Sequence, residues 1–102
     1  MKIAVAATGG SLDAQVADQF GRCRFFLIVD SESLRFEAFS NPASGMAGGA
    51  GPAAAQELAR RGAQVVLAGT FGPRAQQALQ AAGIRYVESS GKVRDAIAAC
   101  RT

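Results

Sequence analysis

Gly45-Met46-Ala47-Gly48-Gly49-Ala50-Gly51-Pro52, near the middle of the 102-residue chain, carries no charge and no side chain longer than methionine. Whatever such a stretch contributes, its backbone contributes. Glycine enters left-handed dihedrals freely and lets other groups approach the main chain, while proline suits a first helical turn, where its missing N–H costs nothing. The stretch therefore reads as a loop feeding a helix. Open N–H groups at such a helix start, with the partial positive charge of the helix end, make a ready anion site. A plain surface connection is the alternative reading.

Ahead of this loop the pattern is that of strands. Residues 2–7 form an apolar run closed by Thr8-Gly9-Gly10, which reads as a buried central strand and a turn. Residues 11–20 are polar and irregular, with Val16 and Phe20 as anchors, and lead into Phe20-Gly21-Arg22-Cys23-Arg24, where a cysteine stands between two arginines. Residues 25–29 are continuously apolar, Asp30-Ser31-Glu32-Ser33 suits a turn, and residues 34–39 alternate with period two. That pair predicts a hairpin, ended by Ser40-Asn41-Pro42.

Behind the loop a pattern repeats at an offset of 21 residues: Gly51-Pro52, Gln56, Leu58 and Gly62 return as Gly72-Pro73, Gln77, Leu79 and Gly83. Each copy precedes a strand-like run, residues 65–68 and 84–87. Proline opening a helix and glycine closing it is the usual asymmetry, so both copies read as helix-strand units. Duplication and ordinary crossovers with generic caps account for the repeat equally well. Ser89-Ser90-Gly91 then offers a cap for a last helix with Val93, Ile97 and Cys100 on one face.

Three strands, then helix, strand, helix, strand, helix, define an α/β chain with a mixed sheet. Right-handed crossovers around a central first strand give five strands in the order 3-2-1-4-5, the second antiparallel to the rest, with three helices divided between both faces. Thr8-Gly9, the glycine-rich loop and Gly69-Thr70-Phe71-Gly72 then meet at the carboxyl edge of the parallel strands, where ligands bind in open α/β sheets.

Composition narrows the chemistry. The length predicts a single domain over residues 1–102, able to build one core without metal or disulfide staples. With no apolar run of membrane-spanning length and no signal-peptide character at Met1-Lys2-Ile3-Ala4-Val5, the expected location is the cytoplasm, away from any membrane. Net charge +3, with nine arginines, favours an anionic partner but is too small to indicate nucleic acid. The two cysteines, Cys23 and Cys100, lie in no zinc spacing.

There is no histidine, so the common hydrolase constellations lack their usual base, and no paired carboxylates replace it. No Gly-Lys-Ser/Thr follows the glycine-rich loop, which excludes a P-loop, and the dinucleotide fingerprint is missing as well. What the proposed edge offers is backbone N–H groups from two helix starts, the guanidinium groups of Arg22, Arg24 and Arg74, and two soft sulfurs, Cys23 and Met46. Those sulfurs suit thiophilic metals, and flanking arginines should lower the Cys23 pKa toward thiolate. A small buried hydrophobe is the other reading of Cys23, and for Met46 a loop anchor.

The combination of Phe20-Gly21-Arg22, residues 25–30, Asn41-Pro42-Ala43, Gly48-Gly49-Ala50-Gly51 and Ala68-Gly69-Thr70-Phe71-Gly72-Pro73, in this order, resembles the dinitrogenase iron-molybdenum cofactor biosynthesis family over nearly the whole chain. The resemblance implies a ribonuclease H-like three-layer fold. It also implies non-catalytic binding and carriage of an anionic metal-sulfur cluster, a molybdenum-copper sulfide or another molybdenum- or iron-sulfur cluster. At the expected edge, the residues themselves offer Thr8, Gly9, Arg22, Cys23, Arg24, Met46, Gly48, Gly49, Ala50, Gly51, Thr70, Phe71 and Gly72 as the candidate cradle for such a cluster, with Cys23 and Met46 as the candidate soft metal contacts. ATPases or cluster-delivery proteins are the partners to expect, and a monomer the expected state. Many relatives carry histidine where Gln19, Met46 and Thr70 stand, so imidazole ligation does not transfer, and capture by charge and shape fits better. The competing reading is a regulatory or interaction module that binds a partner or a phosphate-bearing metabolite.

Overall fold

The computed structural model describes residues 1–101. Strands β1 (Lys2–Ala7), β2 (Phe25–Asp30), β3 (Phe36–Ser40), β4 (Val65–Ala68) and β5 (Arg85–Glu88) form one sheet in the order β3-β2-β1-β4-β5. β2 runs antiparallel to both neighbours, while β1, β4 and β5 are parallel, the arrangement the sequence predicts. Helices α1 (Ala50–Arg60), α2 (Pro73–Ala81) and α3 (Val93–Arg101) complete the α/β fold.

β1 buries every side chain from Ile3 to Ala7 because both of its faces are covered. On one face Ala4, Ala6, Phe26 and Val66 lie beneath α1 and α2, which contribute Ala54, Ala55, Leu58, Ala75 and Leu79. On the other, Ile3, Val5, Leu27, Val29 and Leu67 meet Val93 and Ile97 of α3 with Leu12 and Val16 of the β1–β2 connection. A one-residue slip of β1 would exchange the two sets, so the alanines facing α1 and α2 fix the register as well as the packing.

A row of aromatic rings crosses the sheet under α1 and α2: Phe39, Phe26, Phe20, Phe71 and Tyr86, with successive centroids 5.9, 5.5, 5.4 and 5.2 Å apart. Its outer end at Phe39 is covered by the Arg61 guanidinium, 3.6 Å above the ring, which also pairs with Glu57 and Glu37.

The two repeat units share their ends and differ at their starts. Gly62 (φ 83°) and Gly83 (φ 74°) close α1 and α2 in the left-handed conformation. At the front, α2 begins at Pro73 after an extended Gly72, whereas α1 begins at Ala50, after a left-handed Gly49 (φ 73°). Gly51, the counterpart of Gly72, therefore lies inside the first turn of α1.

Three local expectations shift. β3 starts at Phe36 and not at residue 34: the Asp30 carboxylate accepts the N–H groups of Glu32 (2.8 Å) and Ser33 (3.1 Å), and Leu34 turns through φ 62°. Those bonds hold the Asp30 carboxyl below its ordinary pKa. Phe20–Arg22, at the end of the irregular connection, winds into a 3-10 turn. Gly91 is left-handed (φ 85°) and its carbonyl accepts the Val16 N–H at 2.8 Å, so this residue of the expected α3 cap docks on the β1–β2 connection. No helix of the described residues is long and apolar enough to cross a membrane.

Candidate anion-binding site

The carboxyl ends of β1 and β4 would leave a crevice, but the β1–β2 connection fills it. Ala17 donates its N–H to Ala6 O (2.7 Å), Gly69 to Ala17 O (2.8 Å) and Phe20 to Thr70 O (3.1 Å), and the Thr70 hydroxyl donates to Asp18 O (2.8 Å). Gly69 is required by this docking, since a Cβ there would lie 2.7 Å from Asp18 O. The same docking carries the 3-10 turn Phe20–Arg22 against the start of α1, at Ala50 and Gly51.

Between this turn and the starts of α1 and α2 lies an open cleft of about 450 Å³. It is lined by Phe20, Phe71, Pro52, Pro73 and Ala75, with Phe20 almost wholly buried beneath it, and by Arg22 and Arg74. Among the described residues no carboxylate lines it. Both helix starts enter it, from Gly49-Ala50-Gly51 and from Gly72-Pro73-Arg74. Neither start has a side-chain cap or an acidic residue in its first turn, and since Pro52 and Pro73 have no N–H, the amides of Ala50, Gly51, Arg74 and Ala75 are those left for an outside acceptor. With the positive ends of two helix dipoles aimed into it, the cleft is built to take negative charge.

Arg22 also binds the glycine-rich loop, donating from Nη1 to Met46 O and from Nη2 to Ala47 O (3.5 Å). On the other side of Arg22 a smaller cleft of about 260 Å³, lined by Ala17, Asp18, Gln19 and Arg22, leads to Cys23.

Cys23 departs from the expectation of a thiolate. Its side chain is 4% exposed, Sγ donates to Phe20 O (3.3 Å), and burial pushes the thiol up to about 12. Arg22 and Arg24 stand in solvent, where their charge is screened, so desolvation decides the sign. Asn41 packs beside it, 3.7 Å from Nδ2 to Sγ, and donates to Cys23 O (3.0 Å) and Gly21 O (3.2 Å).

Of the residues singled out from sequence, Arg22, Gly49, Ala50, Gly51, Thr70, Phe71 and Gly72 line the cleft together. Thr8 and Gly9 sit at the predicted sheet edge but outside the cleft. Thr8 instead exchanges hydrogen bonds with Gln15, through its N–H (2.9 Å) and its Oγ1 (3.1 Å), and Gly9 packs on Ala14. Arg24 and Gly48 are exposed and line neither cleft. Met46 contributes its carbonyl to Arg22, while its side chain is 40% exposed. The assigned positions leave out Gln19, Phe20, Gly21, Pro52, Pro73 and Ala75, and Arg74, noted in the first turn of α2, all of which line the cleft; the signal for Gly21, its place between Phe20 and Arg22, was visible without a role attached.

The buried thiol carries a prediction. Ionisation of Cys23 is easier in the unfolded chain than in the native one, so its contribution to stability is complete below about pH 9 and is lost as pH rises toward 12. In that window the stability should fall by about 1.4 kcal/mol per pH unit from this group, and Cys23→Ser should remove the slope in urea titrations. At pH 8, iodoacetamide should alkylate the part-exposed Cys100 and leave Cys23 unmodified until the chain unfolds.

Fold and site together define a small α/β domain with a carboxylate-free, amide-lined cleft. The profile of the dinitrogenase iron-molybdenum cofactor family matches residues 1–102, and the chain belongs to that family. Among solved structures it is similar to the apo form of the orange protein from Desulfovibrio gigas, with 43% identity, 98% of this chain and 86% of that chain covered, and a TM-score of 0.93. It is also similar to a putative NifB protein from Thermotoga, at 32% identity, with 98% and 86% of the two chains covered and a TM-score of 0.83. A search of curated proteins finds no match. The family and the likeness to the orange protein support a role in metal-cluster binding or carriage.

Proposed function

We propose that the cleft binds and carries an anionic metal-sulfur cluster, of molybdenum-copper sulfide or iron-molybdenum-sulfur type, without transforming it. The observation that carries this reading is the convergence of two uncapped helix starts and two guanidinium groups on a cleft without carboxylates. Backbone amides and arginines grip an anion through charge-assisted hydrogen bonds, and the accessible apolar lining of Pro52 and Pro73 suits weakly hydrated sulfide better than oxo ligands. The protein adds few metal ligands of its own. Among the described residues no three or more Cys, Asp or Glu side chains gather as a metal site, and the neutral Cys23 thiol is a poor ligand. The metals of such a guest keep their own sulfides, and Cys23 and Asn41 serve as the footing of the 3-10 turn.

Loading the protein with tetrathiomolybdate and copper(I) tests this. The expected product is a stoichiometric chromophore, together with quenched tyrosine emission. Tyr86 is the one tyrosine in a chain without tryptophan, and its ring lies 5.2 Å from Phe71 in the cleft wall. Arg22→Ala combined with Arg74→Ala should weaken loading about tenfold or more and reduce its salt dependence, since each lost charge-assisted bond removes on the order of 1.5–3 kcal/mol. Cys23→Ser should load like the native chain. Loading that ignores both arginines and leaves tyrosine emission unchanged would place the guest elsewhere.

A further inference from the structure

The two helix starts are brought together by a stack of missing side chains. A Cβ on Gly21 would lie 2.8 Å from Gly51 N and 3.0 Å from Gly51 Cα, so the 3-10 turn reaches α1 only as glycine. A Cβ on Gly51 would in turn lie 2.8 Å from Ala75 Cβ and 3.4 Å from Ala75 Cα, so α1 reaches α2 only as glycine. Gly51 has no need of glycine dihedrals: it sits within α1, and among the described residues the left-handed glycines are Gly49, Gly62, Gly83 and Gly91. Elsewhere in a helix interior glycine is a liability compared with alanine. Close approach is what Gly51 supplies.

Resting on the cluster-carrier reading, we propose that Gly51 is a positioning residue. Through its contact with Ala75 it sets the spacing of the α1 and α2 starts, so that one polynuclear anion is held by both. The cleft of about 450 Å³ is open and wider than a single tetrahedral oxyanion needs. The two starts are in contact at Gly51 and Ala75, so a guest that spans the cleft depends on their spacing more than a small oxyanion does. The Gly51–Ala75 contact therefore acts on guest size as well as affinity. Ordinary carbon–carbon contact is about 3.5–4.0 Å, so alanine at position 51 must push the two starts roughly 1 Å apart.

The test compares two probes, the tetrathiomolybdate-copper(I) assembly and molybdate, on the native chain and its variants, with folding followed by circular dichroism. Gly51→Ala should weaken loading of the copper-thiomolybdate probe about tenfold or more, the worth of one or two charge-assisted hydrogen bonds, and weaken molybdate binding by a clearly smaller factor. Adding Ala75→Gly, which removes the opposing Cβ, should restore most of the loss. Leu79→Ala, which loosens α2 at a fully buried position away from the cleft, should lower stability and spare the ratio between probes. Should Gly51→Ala fail to fold, Ala75→Val crowds the same contact from α2 and should show the same selective loss.

Equal loading of Gly51→Ala and the native chain would overturn the positioning role alone. So would a loss that Ala75→Gly does not relieve, or one that Leu79→Ala reproduces. A native chain that takes up no copper-thiomolybdate at all would overturn the carrier reading, and this inference with it.

Discussion

Phe20→Ala is expected to destabilise the protein by about 3–5 kcal/mol, the range for emptying a fully buried aromatic site. Phe20 is 1% exposed, and its ring touches Phe26 at 5.5 Å and Phe71 at 5.4 Å between centroids. It occupies the middle of the aromatic row in the core beneath α1 and α2, so its removal leaves a void between the Phe26 and Phe71 rings. Small domains have total stabilities of about 5–15 kcal/mol, so the variant should keep a native fold with a much lower urea midpoint. Because Phe20 anchors the 3-10 turn whose Gly21 and Arg22 line the cleft, anion loading should weaken even where the variant is fully folded. A loss below about 1 kcal/mol would mean that Phe26 and Phe71 collapse into the space, contrary to the close packing such cores show.

Asn41→Ala should cost about 2–4 kcal/mol, more than an ordinary polar substitution. The side chain is 3% exposed and fully used: Nδ2 donates to Gly21 O and Cys23 O, and Oδ1 accepts the Ala43 N–H at 2.9 Å. Alanine would leave the Ala43 N–H without its acceptor and two carbonyls without a donor, in a region that water reaches poorly. Asn41→Asp, nearly the same shape, should be worse, because a carboxylate there would face two carbonyl oxygens. Urea titration of both variants measures the order; greater stability of Asn41→Asp than of Asn41→Ala would contradict the hydrogen-bond assignment. Both changes also release the 3-10 turn, so the Arg22 contact with the loop should loosen with them.

The fold was legible because its strongest signals are local and periodic. Three apolar runs, the alternation over residues 34–39, the strand-like residues 84–87, Pro52 and Pro73 near helix starts, and Gly62 and Gly83 at helix ends give element order directly, and handedness rules then give the strand order. The site was legible in part. Glycine-rich loops and helix starts announce themselves, so Gly49, Ala50, Gly51 and Gly72 were found, and Phe71 followed from its place after β4. What stayed hidden depends on distances between segments remote in sequence. Nothing in Arg-Cys-Arg tells that both arginines face solvent while the thiol between them is buried, which reverses the sign of its pKa shift. Thr8-Gly9 lies at the right edge of the sheet but turns toward Gln15 and Ala14, because the irregular connection, and not a ligand, fills the crevice beside it.

The aromatic row also bears on how the sheet moves. β3 is an edge strand with one partner and mostly exposed side chains, features that usually let a strand fray independently. Here Phe39 joins β3 to the same line of rings that reaches Phe20 and Phe71, with Arg61 closing it from above. Opening of the outermost strand must therefore break into that line, which makes its fluctuations cooperative with those of the cleft floor two strands away.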